Sequence, residues 1–244
     1  MPNDLYFEHQ IGVEYEALVT SLNNAAIFIA IAVPILQQTE PISSKRTWRN
    51  FQVPGISGTS DLFRSNDSIR KLYEHGVSRQ IFESYLLTAV SQCETFIFDV
   101  LKLVLTKHPK LLMGKKFDEL AVPFDVFLGQ DKEQIIAAKI KAKLSAISYQ
   151  SPREQLAYLE RVAGVKTSSV RFKHYCEIKA TRDILVHNAG IIDEKYITKS
   201  GDKARGKVGE LIHVDEAYFN ESVTWIKRIA NSIQVVAIKT VTTD

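Results

Sequence analysis

Apolar residues recur at every third or fourth position along most of this 244-residue chain, which is the period of an α-helix. No run of residues alternates between apolar and polar in the way that a half-buried strand requires. The sequence therefore predicts an all-α fold, a bundle of mostly antiparallel helices. The helical patterns cover residues 13–38, 61–75, 78–107, 132–148, 169–191 and 216–239.

Turn-forming residues divide the chain. Residues 39–60 contain two prolines and two glycines and are predicted to be a loop or linker. Gly76 follows the second helical pattern at a usual C-cap position, and Ser151 begins a capping box. We therefore expect an N-terminal helix with a polar linker over residues 1–60, followed by a helical bundle over residues 61–244.

Composition and charge restrict the function classes. The formal charge of +3 is too small to indicate nucleic-acid binding by itself. Cys93 and Cys176 lie in apolar helical patterns and are expected to be buried, reduced thiols. The apolar run 25–36 is shorter than the ~20 residues that a bilayer requires, and Asp4 and Glu8 disfavour a signal peptide. We expect a cytoplasmic protein without membrane contact.

The segment 182–190, RDILVHNAG, sets an arginine, an aspartate, a histidine and an asparagine inside an apolar helical pattern. Arg182 shares its helix face with core-type residues, and a buried lone guanidinium is costly. Either a carboxylate lies opposite Arg182, or this face opens into a cleft that binds an anion. Asp183 and His187 are one turn apart, so the carboxylate is placed to hold one ring nitrogen. A solvated Asp183–His187 pair beside a structural Arg182 is the alternative.

The spacing of Arg182 and His187 poses a geometric difficulty, because residues five apart point ~140° apart around a helix. The long arginine side chain can reach around the helix, or the helix can distort near its end. In a third arrangement the motif helices of two subunits flank one cleft in a two-fold dimer. Ala180, Ile184 and Ile191, on a second face, would suit such a subunit contact.

Residues 182–197, RDILVHNAGIIDEKYI, resemble the motif region of HEPN (higher eukaryotes and prokaryotes nucleotide-binding) domains, especially the RiboL-PSP-like branch. The shared features are an arginine, a polar residue, a short apolar spacer, His-Asn, a glycine and a tyrosine soon after. The upstream segment 91–105, SQCETFIFDVLKLVL, resembles the opening helix of that bundle, with Glu94 at an acidic position. The similarity covers residues 78–239 and leaves residues 1–60 unmatched.

The resemblance implies a HEPN-type bundle that forms a homodimer through its motif helices and cleaves RNA without a metal ion or cofactor. By position, Arg182 and His187 would be the catalytic pair, with Asp183 and Asn188 supporting them. Asp183 departs from the family pattern, in which asparagine or histidine is commoner. The implied role is phage defence or toxin-antitoxin regulation, with an antitoxin or another defence protein as a possible partner.

The residue types fit this chemistry. Histidine has an ordinary pKa of ~6.5 and can act as a general base or acid on the ribose 2′-hydroxyl or the leaving 5′-oxygen. Arginine can donate a fork of hydrogen bonds to the phosphate. Attack by the 2′-hydroxyl explains why RNA rather than DNA would be cut, and it gives a 2′,3′-cyclic phosphate and a 5′-hydroxyl. No cluster of histidine, cysteine or acidic residues has metal-ligand spacing, so no metal site is expected.

Further residues have two readings each. Glu94 is expected to pair with Arg182 as a structural contact in preference to proton transfer. Tyr196 either closes over the site or packs, and Trp48, flanked by arginines, either stacks on a base or packs. Four basic loop residues are candidate phosphate contacts or merely solvated: Lys199, Lys203, Arg205 and Lys207. The alternatives to a nuclease are a catalytically inactive bundle that binds RNA, nucleotide or protein, and a purely structural helical dimer.

Overall fold

The computed structural model describes residues 4–39, 47–112 and 131–243. Helices make up 77% of the structure, and its sheet is one small two-stranded hairpin, so the predicted all-α class is confirmed. The elements in chain order are α1 (Asp4–Gln38), β1 (Trp48–Gly55), β2 (Gly58–Ser65), α2 (Asn66–His75), α3 (Ile81–Lys107), α4 (Lys132–Ser148), α5 (Pro152–Ala163), α6 (Val170–His187), α7 (Glu194–Ser200) and α8 (Glu216–Thr242).

The three longest helices, α1, α3 and α8, pack against one another and form the centre of the bundle. Their facing apolar side chains are buried, among them Leu22 of α1, Leu86 of α3 and Ile229 of α8. The helix α6, which carries the RDILVHNAG segment and is called the motif helix below, lies against α3, α8 and α7. Because α1 shares this core, the expected division after residue 60 does not separate two cores; residue 60 itself lies within β2.

The linker prediction for residues 39–60 is wrong where the structure describes them, because β1 and β2 form an antiparallel hairpin. A two-residue turn joins Gly55 to Gly58, and Gly58 has φ +118, a conformation that glycine adopts without a side-chain clash. Proline and glycine in and around the strands resemble loop composition. The strands are stabilised by pairing with each other, which a local pattern does not reveal. Residues 40–46 lie outside the described residues.

Two expected helix ends are also wrong. Gly76 does not end a helix, because its backbone is right-handed helical (φ −59, ψ −47) and continues through the π-helical turn Gly76–Gln80 into α3. The preceding helix begins at Asn66 and not at residue 61, since residues 61–65 belong to β2. Pro34 lies inside α1, which continues for one further turn to Gln38, the end that the helical pattern predicts.

Other boundaries follow the sequence. The Ser151 side chain accepts a hydrogen bond from the backbone N–H of Glu154, and the Glu154 carboxylate accepts one from the backbone N–H of Ser151 (2.9 Å). This capping box begins α5 as predicted. The motif helix begins after Ser169 as expected but ends at His187, several residues before the predicted end, because the chain turns at Asn188.

The predicted burial of the two cysteines is confirmed, whereas the predicted absence of membrane contact is not tested. Cys93 and Cys176 are buried free thiols as predicted, and burial raises the pKa of Cys93 to about 12. The first helix, α1, is long and apolar enough to cross a membrane by length and composition alone, a test that core helices of soluble proteins also pass. One face of α1 is buried against α3 and α8, and only 22% of its most apolar window is buried. The absence of membrane contact therefore stays a prediction.

Candidate functional site

A cleft of about 1110 Å³ opens between α3, the motif helix, α7 and the turn that precedes α5. The predicted catalytic and supporting residues all border this one cleft: Glu94, Arg182, Asp183, His187, Asn188 and Tyr196. The helix spacing explains part of this assembly, because the motif-helix residues lie within one and a half turns of one another. Glu94 comes from α3, which packs alongside.

Arg182 has both a carboxylate partner and access to a cleft, the two alternatives that the sequence offers for a guanidinium on an apolar face. Its Nη2 donates to Oε2 of Glu94, the ion pair that the sequence predicts, and its Nη1 donates to Oδ1 of Asp183 (3.1 Å). The side chain is 21% exposed and borders the cleft. Its Nε is buried and has no hydrogen-bond partner among the described residues. The guanidinium is thus held by two carboxylates and retains one unused donor.

A second cation lies behind Arg182. Lys179, one turn earlier on the motif helix, is buried and donates to Oε1 of Glu94 and to Oε1 of Gln155 (2.9 Å). Glu94 therefore bridges two cations, and each member of the triad has a charged partner, as buried ions require. Lys179 was not predicted as a site residue. Its spacing of three residues from Arg182, on the same helix face, is the signal that could have found it.

The expected contact between Asp183 and His187 is absent from the described structure. Asp183 instead accepts from Arg182 through Oδ1 and from Lys199 Nζ through Oδ2 (2.8 Å). Both carboxylate oxygens of Asp183 are thus occupied by charged donors, whose hydrogen bonds are among the stronger ones in proteins. Asp183 therefore positions Arg182 and Lys199 and does not hold the ring of His187.

His187 is the exposed member of the predicted pair. It is the last residue of the motif helix and borders the cleft, and its ring has no hydrogen bond with any described residue. The motif helix stays helical through His187, so Arg182 and His187 reach one cleft from two sides of an undistorted helix. Although Arg182 and His187 point ~140° apart around the helix, the cleft is wide enough and the arginine side chain long enough for both residues of one chain to border it.

A tight turn fixes the end of the motif helix. The Asn188 side chain donates to the backbone oxygen of Ile191 (2.7 Å), and the backbone N–H groups of Asn188 and Gly190 both donate to that of Ile184 (2.9 Å). Ala189 has φ +49 and Gly190 has φ +78. Asn188 therefore holds the backbone beside His187, and its supporting role in catalysis stays a prediction.

Tyr196 packs and does not close over the site. Its hydroxyl donates to Oε1 of Glu177 (2.9 Å), and burial raises its pKa. Glu177 also accepts from Thr181 (2.7 Å), Arg205 (2.9 Å) and Tyr218 (2.9 Å). This closed network, which we call the Glu177 network, lies on the motif helix just before Arg182.

Of the four basic loop residues, only Lys199 borders the cleft. The prediction of a phosphate contact is contradicted for Arg205, whose guanidinium pairs with Glu177 and lies 3.3 Å from the Tyr218 ring centroid. Lys203 borders a separate cavity of about 200 Å³ beside Glu177, and Lys207 is exposed outside the cleft. A charge run in a flexible sequence does not reveal which cation turns inward.

Asp99 also borders the cleft and was not foreseen. Burial raises the pKa of its carboxyl group, and Lys102 partly opposes that effect. Its spacing of four residues from Thr95, another cleft residue, is the available sequence signal. Asp99 thus adds to the cleft a carboxyl group that lies outside the ion pairs of Glu94 and Asp183.

The second face of the motif helix does not serve a subunit contact as expected. Ala180 and Ile184 are buried within the chain, in a small apolar cluster with Ile192, Tyr196 and Ile212. Ile191 is partly exposed. Dimerisation through the motif helices stays a prediction, and it would have to use the exposed residues around His187.

No three histidine, cysteine or acidic side chains within the described ranges are grouped so as to hold a metal ion. No family model matches the chain, and neither the curated proteins nor the solved structures contain a match. The fold and the cleft therefore define a mostly helical bundle with an Arg/His-lined cleft, and its function is inferred from the geometry.

Proposed function

We propose that this protein is a metal-independent endoribonuclease and that the cleft along the motif helix is its active site. One observation carries the proposal: Arg182 and the exposed His187 border the same cleft, although they point to different sides of the helix. A phosphate bound between them would face a guanidinium on one side and a proton-transfer group on the other. The resemblance of residues 182–197 to HEPN motifs supports the same assignment.

The proposed reaction is an internal transfer at one phosphodiester. The 2′-oxygen attacks the adjacent phosphorus, and His187 accepts the proton of the 2′-hydroxyl. The bond from phosphorus to the 5′-oxygen breaks, and the 5′-oxygen takes a proton from the solvent. Arg182 stabilises the charge on the phosphoryl oxygens as the transition state forms.

The cations at the cleft support the binding of a polyanion. Lys195 and Lys199 border the cleft at its α7 side, and Lys199 is one third exposed. Exposed lysines beside a cleft attract phosphates without reading sequence. They would bind the strand on either side of the phosphate that reacts.

A second candidate is a catalytically inactive bundle that binds RNA, nucleotide or a protein partner. The observation in its favour is that Glu94 and Asp183 already hold the Arg182 guanidinium. A phosphate must compete with both carboxylates for Arg182, which weakens transition-state stabilisation unless the arginine turns toward the substrate. A homodimer, a cytoplasmic location and a partner in defence or toxin regulation belong to the proposal through the family resemblance alone.

The proposal is tested by incubating total cellular RNA with the purified protein in excess EDTA. The matched variants are His187→Ala and His9→Ala, since His9 is an exposed histidine on α1 outside the cleft. We expect the parent and His9→Ala to cut the RNA and His187→Ala to lose at least ~100-fold of that activity. The products should carry 2′,3′-cyclic phosphates.

Two results would contradict the nuclease. Equal cutting by all three proteins would indicate a contaminating nuclease. No cutting by any of them, with RNA still bound, would favour the inactive binding module.

A further inference from the structure

The hairpin of β1 and β2, residues 48–65, stands apart from the core of the bundle. Its strands pair with each other, and the helix that they mainly contact is α2, which follows directly. Its large side chains are exposed, with Trp48 at 61% and Phe63 at 62%. A lone two-stranded hairpin is only marginally stable in water. Aromatic side chains grouped in exposed positions on such a hairpin indicate a binding surface.

The strand register sorts these side chains onto two faces. Residues directly opposite each other lie on the same face, so Arg49 and Arg64 share one face with the pair Phe51 and Leu62. Trp48 and Phe63 lie on the other face. We call the first surface the arginine face.

The two arginines of this face have no counter-charge in the part of the chain that the structure describes. Like charges directly opposite each other on a sheet repel. The nearest acid of the hairpin, Asp61, is on the opposite face, where it accepts hydrogen bonds from Asn50 and Gln52. Neither Arg49 nor Arg64 has a carboxylate partner among the described residues. An anion bound between the two guanidiniums would remove the repulsion and supply hydrogen-bond acceptors to both.

We propose that the arginine face is an accessory binding site for single-stranded RNA, an inference that rests on the proposed function for the identity of the polyanion. A backbone phosphate binds between Arg49 and Arg64, and a neighbouring base stacks on Phe51, which is 40% exposed. Paired cations beside an aromatic ring are the combination that holds a single strand without reading its sequence. A protein partner would favour the purely apolar Trp48 and Phe63 on the opposite face.

The hairpin leads through α2 toward the candidate site. The turn Gly76–Gln80 that follows α2 carries Arg79, and the Arg79 guanidinium lies against Gly190 at the end of the motif helix. The end of the motif helix and the hairpin therefore both lie toward the N-terminal end of α3. Binding at both places would raise the effective concentration of the strand at the cleft.

The test measures binding of a fluorescein-labelled single-stranded RNA of about 20 nucleotides by anisotropy, in a His187→Ala background that prevents cutting. The salt concentration is varied from about 50 to about 200 mM. The variant Arg49→Gln/Arg64→Gln should raise the Kd by about tenfold and lower the log–log salt slope by about 0.7, the value for one lost phosphate contact on a single strand.

Matched variants separate this effect from general changes in charge or folding. Lys166→Gln/Lys239→Gln removes the same charge at the far end of the bundle and should leave the Kd within about twofold of the parent. Arg49→Lys/Arg64→Lys keeps both charges and should restore most of the salt slope. Phe51→Leu should weaken binding by about fivefold, whereas Phe63→Leu, on the opposite face, should not.

Several results would overturn the proposal. A Kd within about twofold of the parent and an unchanged salt slope for Arg49→Gln/Arg64→Gln would remove the RNA site. An equal rise in Kd for Lys166→Gln/Lys239→Gln would show that the loss of net charge alone weakens RNA binding. If Phe63→Leu changes the oligomeric state in sedimentation while the arginine variants bind RNA normally, the hairpin is a protein contact.

The outcomes also separate this site from the proposed function. RNA cutting by the parent, together with normal binding and cutting by the arginine variants, would overturn the accessory site alone. Loss of binding in the arginine variants, with no cutting by the parent in EDTA, would overturn the nuclease and keep the hairpin as an RNA-binding element.

Discussion

The motif helix takes part in two arginine–carboxylate contacts that lie little more than one turn apart. Glu177 pairs with Arg205, and Arg182 pairs with Glu94 and Asp183, but the surroundings of the two arginines differ. In the Glu177 network, a buried carboxylate accepts from two tyrosines, a threonine and Arg205, and a ring covers the guanidinium. At the cleft, Arg182 also has carboxylate partners, but it borders open space, keeps an unused Nε donor and has the exposed His187 nearby. The two arginines therefore differ in what the rest of the guanidinium faces, an aromatic ring for Arg205 and the open cleft for Arg182.

Arg182→Lys is expected to give the largest effect. Lysine keeps the charge beside Glu94 but loses the planar fork, so RNA cutting in EDTA should fall by about three orders of magnitude while unfolding is little changed. The matched variant is Arg205→Lys, which should lower the urea midpoint and leave activity per folded molecule unchanged. Similar losses of activity in both variants would erase the distinction between the two arginines.

The carboxylates should differ in stability. Glu177→Gln removes the charge that pairs with Arg205 and replaces one of the two acceptor oxygens by an NH2 group, so Arg205 loses its ion pair and a buried donor loses its acceptor. It should lower the free energy of unfolding by about 3 kcal/mol. Glu94→Gln should cost about half as much, because Arg182 keeps Asp183 and Lys179 keeps Gln155. Urea unfolding followed by circular dichroism measures both, and a larger loss for Glu94→Gln would contradict the account.

The turn after His187 should be sensitive to glycine replacement. At Gly190, φ is +78, and an added Cβ would approach the Arg79 guanidinium to 3.2 Å and the Leu211 side chain to 3.4 Å. We expect Gly190→Ala to destabilise by about 1–2 kcal/mol. Gly12→Ala in α1, where no atom lies within 4 Å of the added Cβ, should instead stabilise by about 0.5–1 kcal/mol. Thermal melting of both variants checks the pair.

Asp99 should give the smallest effect and a defined pH dependence. Because burial raises its pKa in the folded state, the unfolded chain loses the proton first, and stability falls as pH rises from the ordinary aspartate value of ~3.9 through the raised one. Asp99→Asn removes that loss and should stabilise the protein near pH 7 by less than about 1 kcal/mol, with no gain near pH 3. The hydrogen bond from Lys173 lowers the pKa of the Asp202 carboxyl group, so Asp202→Asn should instead destabilise the protein near pH 7.

The sequence predicted most of the helices because they depend on local period. Glu94, Arg182 and His187 border one cleft as the resemblance implied, although the five-residue spacing argued against it and Glu94 comes from another helix. The hairpin was missed because its stabilisation comes from the pairing of two segments that each look like loop. The inward turn of Arg205 and the buried Lys179 depend on contacts across the fold, which a local pattern does not contain.

The central claim is that the cleft uses a ribose 2′-hydroxyl to cut RNA with Arg182 and His187. The most direct measurement compares, in excess EDTA, a pool of RNA oligonucleotides with the same pool carrying 2′-O-methyl groups at every position. The account predicts that the RNA pool is cut to 2′,3′-cyclic phosphate ends and that the methylated pool stays intact. Cutting of the methylated pool at a similar rate, or no cutting of either pool by folded protein, would contradict it.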